Sequence, residues 1–191
     1  MKMTAFEKRF VNQPIRVHTV ANRALKLLGH VRTQAGWRYL DVGCGVGFAA
    51  SEIANATGLD VTGVDVDPDQ VAAAKDRGLR QNLRFRVMDA TALDFRDGEF
   101  DIVATSMTTH HIPDWERALA EMARVLRPGG YLIYSDHVFP SWLARLCRRT
   151  IRFAGFPFAS GIDSVAAKSG LSEVYEARRS RHVDAIWIKN A

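Results

Sequence analysis

Cysteine is scarce in this 191-residue chain. Cys44 and Cys147 are too few for a disulfide framework and too far apart to read as a metal-ligand pair. That usage fits a reducing compartment, so cytoplasm is the expected location. Long apolar runs are missing as well: no stretch reaches the about 18 residues that a membrane-spanning helix needs. Glu7, Lys8 and Arg9 interrupt the N-terminal segment where a secretory leader would be apolar, so export by that route is not expected. Attachment to a membrane surface stays open. Prolines number only 6, and a 47% hydrophobic content with 25% charged residues excludes a disordered or repetitive chain. The length suits one well-buried domain over 1–191, so a separate substrate or nucleic-acid-reading domain is not expected.

Charge is unevenly spread. Residues 137–191 carry 9 basic and 4 acidic side chains, so the whole net charge of +5 lies in that last segment. An anionic partner is therefore to be sought there.

From Trp37 onward, short apolar runs alternate with segments of helical period, which predicts an α/β fold with a parallel sheet and crossover helices. The expected strands are Arg38 to Val42, Val61 to Asp65, Leu83 to Met88, Asp101 to Thr105 and Tyr131 to Ser135, with helices from about Phe48, Pro68 and Trp115. Asp67, Pro68 and Gln70 have the pattern of an N-cap, a first-turn proline and a capping-box partner. Arg127-Pro128-Gly129-Gly130 reads as the turn that ends the third helix. Ser172 to Arg179 and His182 to Lys189 read as a strand hairpin. Residues 1–36 look helical, broken at Pro14, with an apolar face on Ala21 to Leu28, and the segment is expected to pack over the ligand face.

The stretch Asp41-Val42-Gly43-Cys44-Gly45-Val46-Gly47 is a strand end followed by a glycine-rich turn and a helix start. Such a turn admits a ligand close to the backbone, and free amides at the helix start favour an anionic group. The next strand ends in Asp65, at the spacing where nucleotide-binding folds hold a ribose. Capping of the following helix is the other reading of these acids. Asp67 suits the cap, whereas Asp65 lies one residue too early for it. A nicotinamide dinucleotide site would need glycine at the position held by Phe48.

At these residues the chain resembles the class I S-adenosylmethionine-dependent methyltransferases, over about Trp37 to Asp136. Asp41 to Gly47 is similar to the family's first motif, Asp65 to its ribose-binding acid, with Val66 beside the adenine. Met88-Asp89-Ala90 matches the adenine-recognition position. Phe100-Asp101-Ile102-Val103 with Ser106 resembles the fourth strand and its cofactor-contacting end, and Arg124 to Gly130 resembles the segment after the following helix. The resemblance implies a Rossmann-like seven-stranded, mostly parallel sheet with helices on both faces and the last strand antiparallel. It implies S-adenosyl-L-methionine as cofactor, held by Asp41, Gly43, Cys44, Gly45, Gly47, Asp65, Val66, Asp89, Ala90 and Ser106. It divides the chain into an N-terminal helical cap (1–36), a cofactor-binding core (37–136), a lid helix (137–160) and a C-terminal helix with a strand hairpin (161–191).

An activated methyl donor asks the protein mainly to place the nucleophile and exclude water, so a catalytic residue is optional. Where the nucleophile carries a proton, a base of near-neutral pKa helps. His110 and His111 follow the fourth strand on the ligand edge, His137 follows the fifth, and His18 is a weaker candidate. In many small-molecule members of the family this segment reads Leu-His-His, and Thr109 stands here for the leucine. These histidines could equally bond loop backbone and hold its shape. No Asn/Asp-Pro-Pro-Tyr follows the fourth strand, which disfavours a DNA base or a protein amide as acceptor. The expected acceptor is therefore a small or lipid-like molecule; a nicotinamide-dependent oxidoreductase and a non-catalytic cofactor-binding protein are the alternatives.

The segment from Trp142 to Ala154 reads as a basic amphipathic helix. Arg145, Arg148, Arg149 and Arg152 fall at i, i+3, i+4 and i+7, with Trp142, Leu143, Leu146, Cys147 and Phe153 largely opposite. Either it is a lid with a solvated arginine face, or it contacts anionic lipid or an anionic acceptor.

Overall fold

The computed structural model describes residues 12–78, 80–151 and 154–191. Its strands are β1 (Arg38–Val42), β2 (Asp60–Asp65), β3 (Leu83–Val87), β4 (Phe100–Ser106), β5 (Leu126–His137), β6 (Leu171–Arg179) and β7 (His182–Lys189). They form one seven-stranded sheet in the order β3-β2-β1-β4-β5-β7-β6. The pairs β1–β2, β2–β3, β1–β4 and β4–β5 are parallel, and β7 runs antiparallel to both β5 and β6. This is the α/β sheet that the motif order implied, with the last strand reversed.

Around the sheet lie α1 (Pro14–Leu28), α2 (Phe48–Thr57), α3 (Pro68–Asp76), α4 (Trp115–Val125), α5 (Ser141–Thr150) and α6 (Ala159–Lys168). Successive strand residues point to opposite faces, so each central strand feeds two apolar layers. Leu40, Val42, Val103, Leu132 and Tyr134 meet α4 and α6 on one face. Tyr39, Val61, Ile102 and Ile133 meet α1, α2 and α3 on the other. Helix α4 buries Trp115, Ala118, Leu119 and Met122, the i, i+3, i+4, i+7 stripe of a helix lying on a sheet.

The helix starts at Phe48, Pro68 and Trp115 agree with the sequence pattern, whereas three details differ. First, β5 starts at Leu126, not Tyr131. Leu126 pairs with Phe100 and Tyr131 with Ile102, so residues 127–130 bulge within the strand. Gly130 is required there because a Cβ would lie 2.7 Å from the Asp101 carbonyl oxygen. Second, Asp67 does cap α3 by accepting the Asp69 amide at 3.0 Å, but no capping box closes. The Asp67 amide donates to Asp65 at 2.9 Å, and Gln70 instead accepts from Asn12 at 3.1 Å. Third, Ala24, Leu27 and Leu28 of α1 pack with Ile53 on a sheet face, so among the described residues only the start of the N-terminal segment, where Asn12 meets Gln70 and His18 meets Phe48, reaches the carboxyl edge.

β1 lies between β2 and β4, and the chain crosses to opposite sides of the sheet from these neighbours. The carboxyl ends of β1 and β4 therefore open the crevice where such folds take ligands.

Candidate cofactor and acceptor site

The crevice holds a cavity of about 340 Å³ at the carboxyl ends of the strands. Its first wall is the turn after β1, where Gly43, Gly45 and Gly47 all have positive φ. The amides of Gly43 and Cys44 donate to the Val64 carbonyl at 2.8 and 2.9 Å, which bends the turn toward β2. The glycines differ in what they do. A Cβ on Gly45 would meet nothing within 4 Å, so this residue presents bare backbone to open space. A Cβ on Gly47 would meet the Phe85 ring at 2.5 Å, so this glycine serves the packing of α2 on the sheet. Cys44 packs into the core near Phe85, and its thiol is pushed well up by burial and by the charges of Asp41 and Asp65.

Asp65 closes the turn from the next strand. One carboxylate oxygen accepts the Gly45 amide at 2.9 Å and the other accepts the Asp67 amide at 2.9 Å. Burial pushes this carboxyl up, and the two amides oppose the shift. Asp41 is buried beneath the turn and is pushed up to about 7, first by burial and then by the charge of Asp65. Among the described residues no donor is found on its carboxylate. A buried acid with no counter-charge against it among the described residues, beneath an open glycine turn, fits a ligand that brings an ammonium group. S-adenosylmethionine brings one, so the residues present fit the expected cofactor.

Gly43, Gly45, Asp65, Val66, Asp89 and Ala90 line the cavity, as six of the ten expected cofactor residues; Asp41, Cys44, Gly47 and Ser106 are outside its lining. Asp89 accepts both the Thr91 amide and the Thr91 hydroxyl on one oxygen, at 2.8 Å each. Burial would raise this acid, but the Thr91 bonds outweigh it and hold it low, and Asp89 lines the cavity as an ionised acceptor.

The opposite wall is the segment after β4. Met107 has φ 55°, a strained value for a residue with a side chain, and both it and Thr108 line the cavity. A 3-10 turn, Thr109–His111, follows. Of the expected bases, His111 is exposed and lines the cavity. The His110 ring packs against it at a tilt of 42°, ring centres 4.0 Å apart, and His137 stands 5.3 Å from His110. His137 lies 3.3 Å from the Arg181 carbonyl. His18 is elsewhere, against the Phe48 ring.

Two features were not anticipated from the sequence. Asp136, the buried acid that precedes His137, sits 2.5 Å from His110 Nδ1. An acid closing a strand opposite a histidine pair was the available signal. Behind it, Ser135 donates to Asp184 at 2.7 Å, and His182 lies 3.0 Å from the same carboxylate, a polar cluster between β5 and β7 that only pairing brings together.

Helix α5 stands on an excursion whose two ends are tied down. The Phe139 amide donates to Pro157 at 2.8 Å and the Gly155 amide to His110 at 3.1 Å. Trp142 is 68% and Leu146 58% exposed, while Ala144 is fully buried. The predicted helix runs only to Thr150, and Arg152 and Phe153 lie outside the described residues. No helix among the described residues is long and apolar enough to cross a membrane.

The family model described as a methyltransferase domain matches residues 40–134. Methyltransferase GfsG of Streptomyces halstedii is 40% identical over 117 residues, covering 59% of this chain and 42% of that protein. The 2-methyl-6-phytyl-1,4-hydroquinone methyltransferase of Synechocystis is 39% identical over 102 residues, covering 53% and 32%. The chain thus spans less than half the length of these relatives. Among solved structures, phosphoethanolamine N-methyltransferase 2 of Haemonchus contortus, in complex with phosphomonomethylethanolamine and S-adenosylhomocysteine, superposes with a TM-score of 0.76. It is 19% identical over 89% of this chain and 53% of that one, a likeness of fold.

Proposed function

The chain belongs to the class I S-adenosylmethionine-dependent methyltransferase family, and from that premise we propose that it transfers the cofactor's methyl group to a small-molecule or lipid-like acceptor. When bound, S-adenosylmethionine supplies a sulfonium-activated methyl group. The observation that carries the reading is the cavity lined by Gly45, Asp65 and Asp89 next to the turn that begins at the buried Asp41, whose carboxylate has no donor among the described residues.

In this reading Asp41 and the Gly43–Gly45 backbone hold the amino-acid end. Asp65 accepts from ribose hydroxyls, and Asp89 with the Ala90 amide meets the adenine edge beside Val66. Met107, His111 and Ile112 form the acceptor side of the same cavity. An apolar wall with a histidine at its rim favours an acceptor with a greasy body and one ionisable group. His111 is the group placed to take a proton there, with His110 and His137 behind it. The relatives named for methylating 2-methyl-6-phytyl-1,4-hydroquinone and phthiotriol or phenolphthiotriol dimycocerosates support that acceptor chemistry. Residues 137–160 act as the lid over the acceptor, and α5 rests on anionic membrane surface, which keeps the protein cytoplasmic and peripheral. Trp142 and Leu146 support this, being exposed on a helix that carries Arg145, Arg148 and Arg149 and no acid.

The test is calorimetric titration with S-adenosylhomocysteine, alongside Asp65→Ala. Binding that the variant weakens about tenfold or more, as the loss of charged hydrogen bonds requires, supports the reading. No binding by folded, ligand-free wild-type protein would remove it.

A further inference from the structure

The Asp136 carboxylate is fully buried at the end of β5, yet every direction around it is filled by a donor. One oxygen accepts the amides of Thr108 and Thr109 at 3.0 and 2.6 Å and the Thr109 hydroxyl at 2.6 Å. The other lies 2.5 Å from His110 Nδ1 and accepts the His137 amide at 2.6 Å. The Thr109 hydroxyl is in turn 2.7 Å from the Tyr134 hydroxyl, so the cluster is closed on its core side.

This arrangement decides a proton's position. Burial alone would raise the acid, but the bonds from His110, Thr109 and His137 outweigh it and hold Asp136 low, so it is ionised at neutral pH. An ionised carboxylate only accepts. The His110 nitrogen facing it must therefore carry hydrogen, and in the neutral ring the basic lone pair is left on Nε2. Free histidine in water prefers the opposite tautomer. The ring so oriented keeps 18% of its side chain exposed and packs at a tilt against His111, ring centres 4.0 Å apart, and His111 lines the cavity.

We propose that Asp136 is a positioning residue for proton removal from the acceptor. It locks His110 as the Nδ1–H tautomer and, through the Thr108 and Thr109 amides, sets the turn that carries His111 into the cavity. The role rests on the methyl-transfer reading above. Asp136 itself is not in the cavity lining, so it acts through the histidines and not on the cofactor.

The experiment is two-bond proton–nitrogen NMR on protein labelled with ¹⁵N-histidine, with Asp136→Asn beside the wild type, His110→Gln to assign the signal, and S-adenosylhomocysteine titrated into each by calorimetry. A carboxylate that only staples the loop could be replaced by its amide with no change of tautomer. The wild type is expected to show Nδ1–H at His110 and the Asn variant mainly Nε2–H, with cofactor-product affinity changed by less than about threefold. An Nε2–H tautomer in the wild type, or an unchanged tautomer in the Asn variant, overturns the proposal. Should the Asn variant not fold, the wild-type tautomer alone decides. Failure of the wild type to bind S-adenosylhomocysteine while showing Nδ1–H would sink the methyl-transfer reading, and the role with it, but leave the tautomer assignment standing.

Discussion

Gly43 and Thr108 pack so closely that a Cβ built on the glycine would lie 2.2 Å from the threonine methyl and 2.3 Å from its hydroxyl. The glycine turn after β1 and the turn after β4 are thereby one packed unit. Thr108 also donates its amide to Asp136, which holds His110, so the contact runs without a gap from the cofactor wall to the histidines.

Gly43→Ala should therefore do more than strain one φ of +80°. The added methyl has a side chain and not a flexible tip in its way, and overpacking with backbone strain costs about 1–3 kcal/mol. Thermal unfolding should show a clear fall in Tm. Adding Thr108→Gly removes the clash but leaves the positive φ, so recovery should be partial. Full independence of the two changes in a double-mutant cycle would show that the contact is not as tight as described.

Much of this was readable before the fold was known, because the signals were local. Asp65 is followed by a cap residue, a proline and a helix, and the structure keeps that order, with only the capping box displaced when Asp65 takes the Asp67 amide. The starts at Phe48, Pro68 and Trp115 came from periodicity, and the core layers follow it. What stayed hidden depends on distant pairing. Nothing near Lys189 in the chain indicates that its ammonium donates to the Ala123 and Leu126 carbonyls at 2.7 Å, closing the end of α4. Asp136 likewise gains its meaning only when β4 and β5 bring residues 108–110 beside it. The bulge at 127–130 was read as a turn because proline and glycine report the bend and not the strand around it.

The pH behaviour of Asp41 gives a second expectation. Its carboxyl is pushed from 3.8 to about 7 by burial and by Asp65, so the folded state holds a proton that the unfolded chain releases. An acid raised in this way costs the fold stability as pH climbs from the unfolded value toward the folded one, and the cost is constant above it. Asp41→Asn cannot titrate. It should flatten the decline in Tm across that window and be the more stable protein at the alkaline end. It should also bind S-adenosylhomocysteine at least about tenfold more weakly, through loss of a charge partner for the ammonium. Parallel Tm–pH curves for the two proteins would show that the Asp41 carboxyl is not perturbed.

Gly155 tests the link between the α5 excursion and the histidine turn. A Cβ there would lie 2.3 Å from the carbonyl oxygens of both Thr109 and Ile112, and its amide donates to His110 at 3.1 Å. Gly155→Ala must push the excursion off the turn, at a cost of about 1–3 kcal/mol. Hydrogen exchange should quicken at Gly155 and across the 3-10 turn, while S-adenosylhomocysteine affinity, set by the other wall, changes little. Unaltered exchange at both places would separate the excursion from the site.

The outward side of that excursion carries the last expectation. Trp142 and Leu146 stand one helical turn apart and are both largely exposed on α5, beside a sequence rich in arginine and without acids. Water leaves such a pair no favourable partner, whereas a bilayer interface accepts the apolar tips, at about 1.5–3 kcal/mol for a fully buried large side chain. Anionic headgroups add roughly 1 kcal/mol for each nearby basic residue. Co-sedimentation should therefore be strong with vesicles containing phosphatidylserine, weak with neutral vesicles, and reduced by raised salt. The double variant Trp142→Ser/Leu146→Ser should lose about tenfold or more in vesicle affinity with its Tm unchanged, since neither side chain supports the core. Equal binding to neutral and anionic vesicles, or a variant that binds as well as the wild type, would assign these residues to the lid alone and detach the protein from the membrane surface.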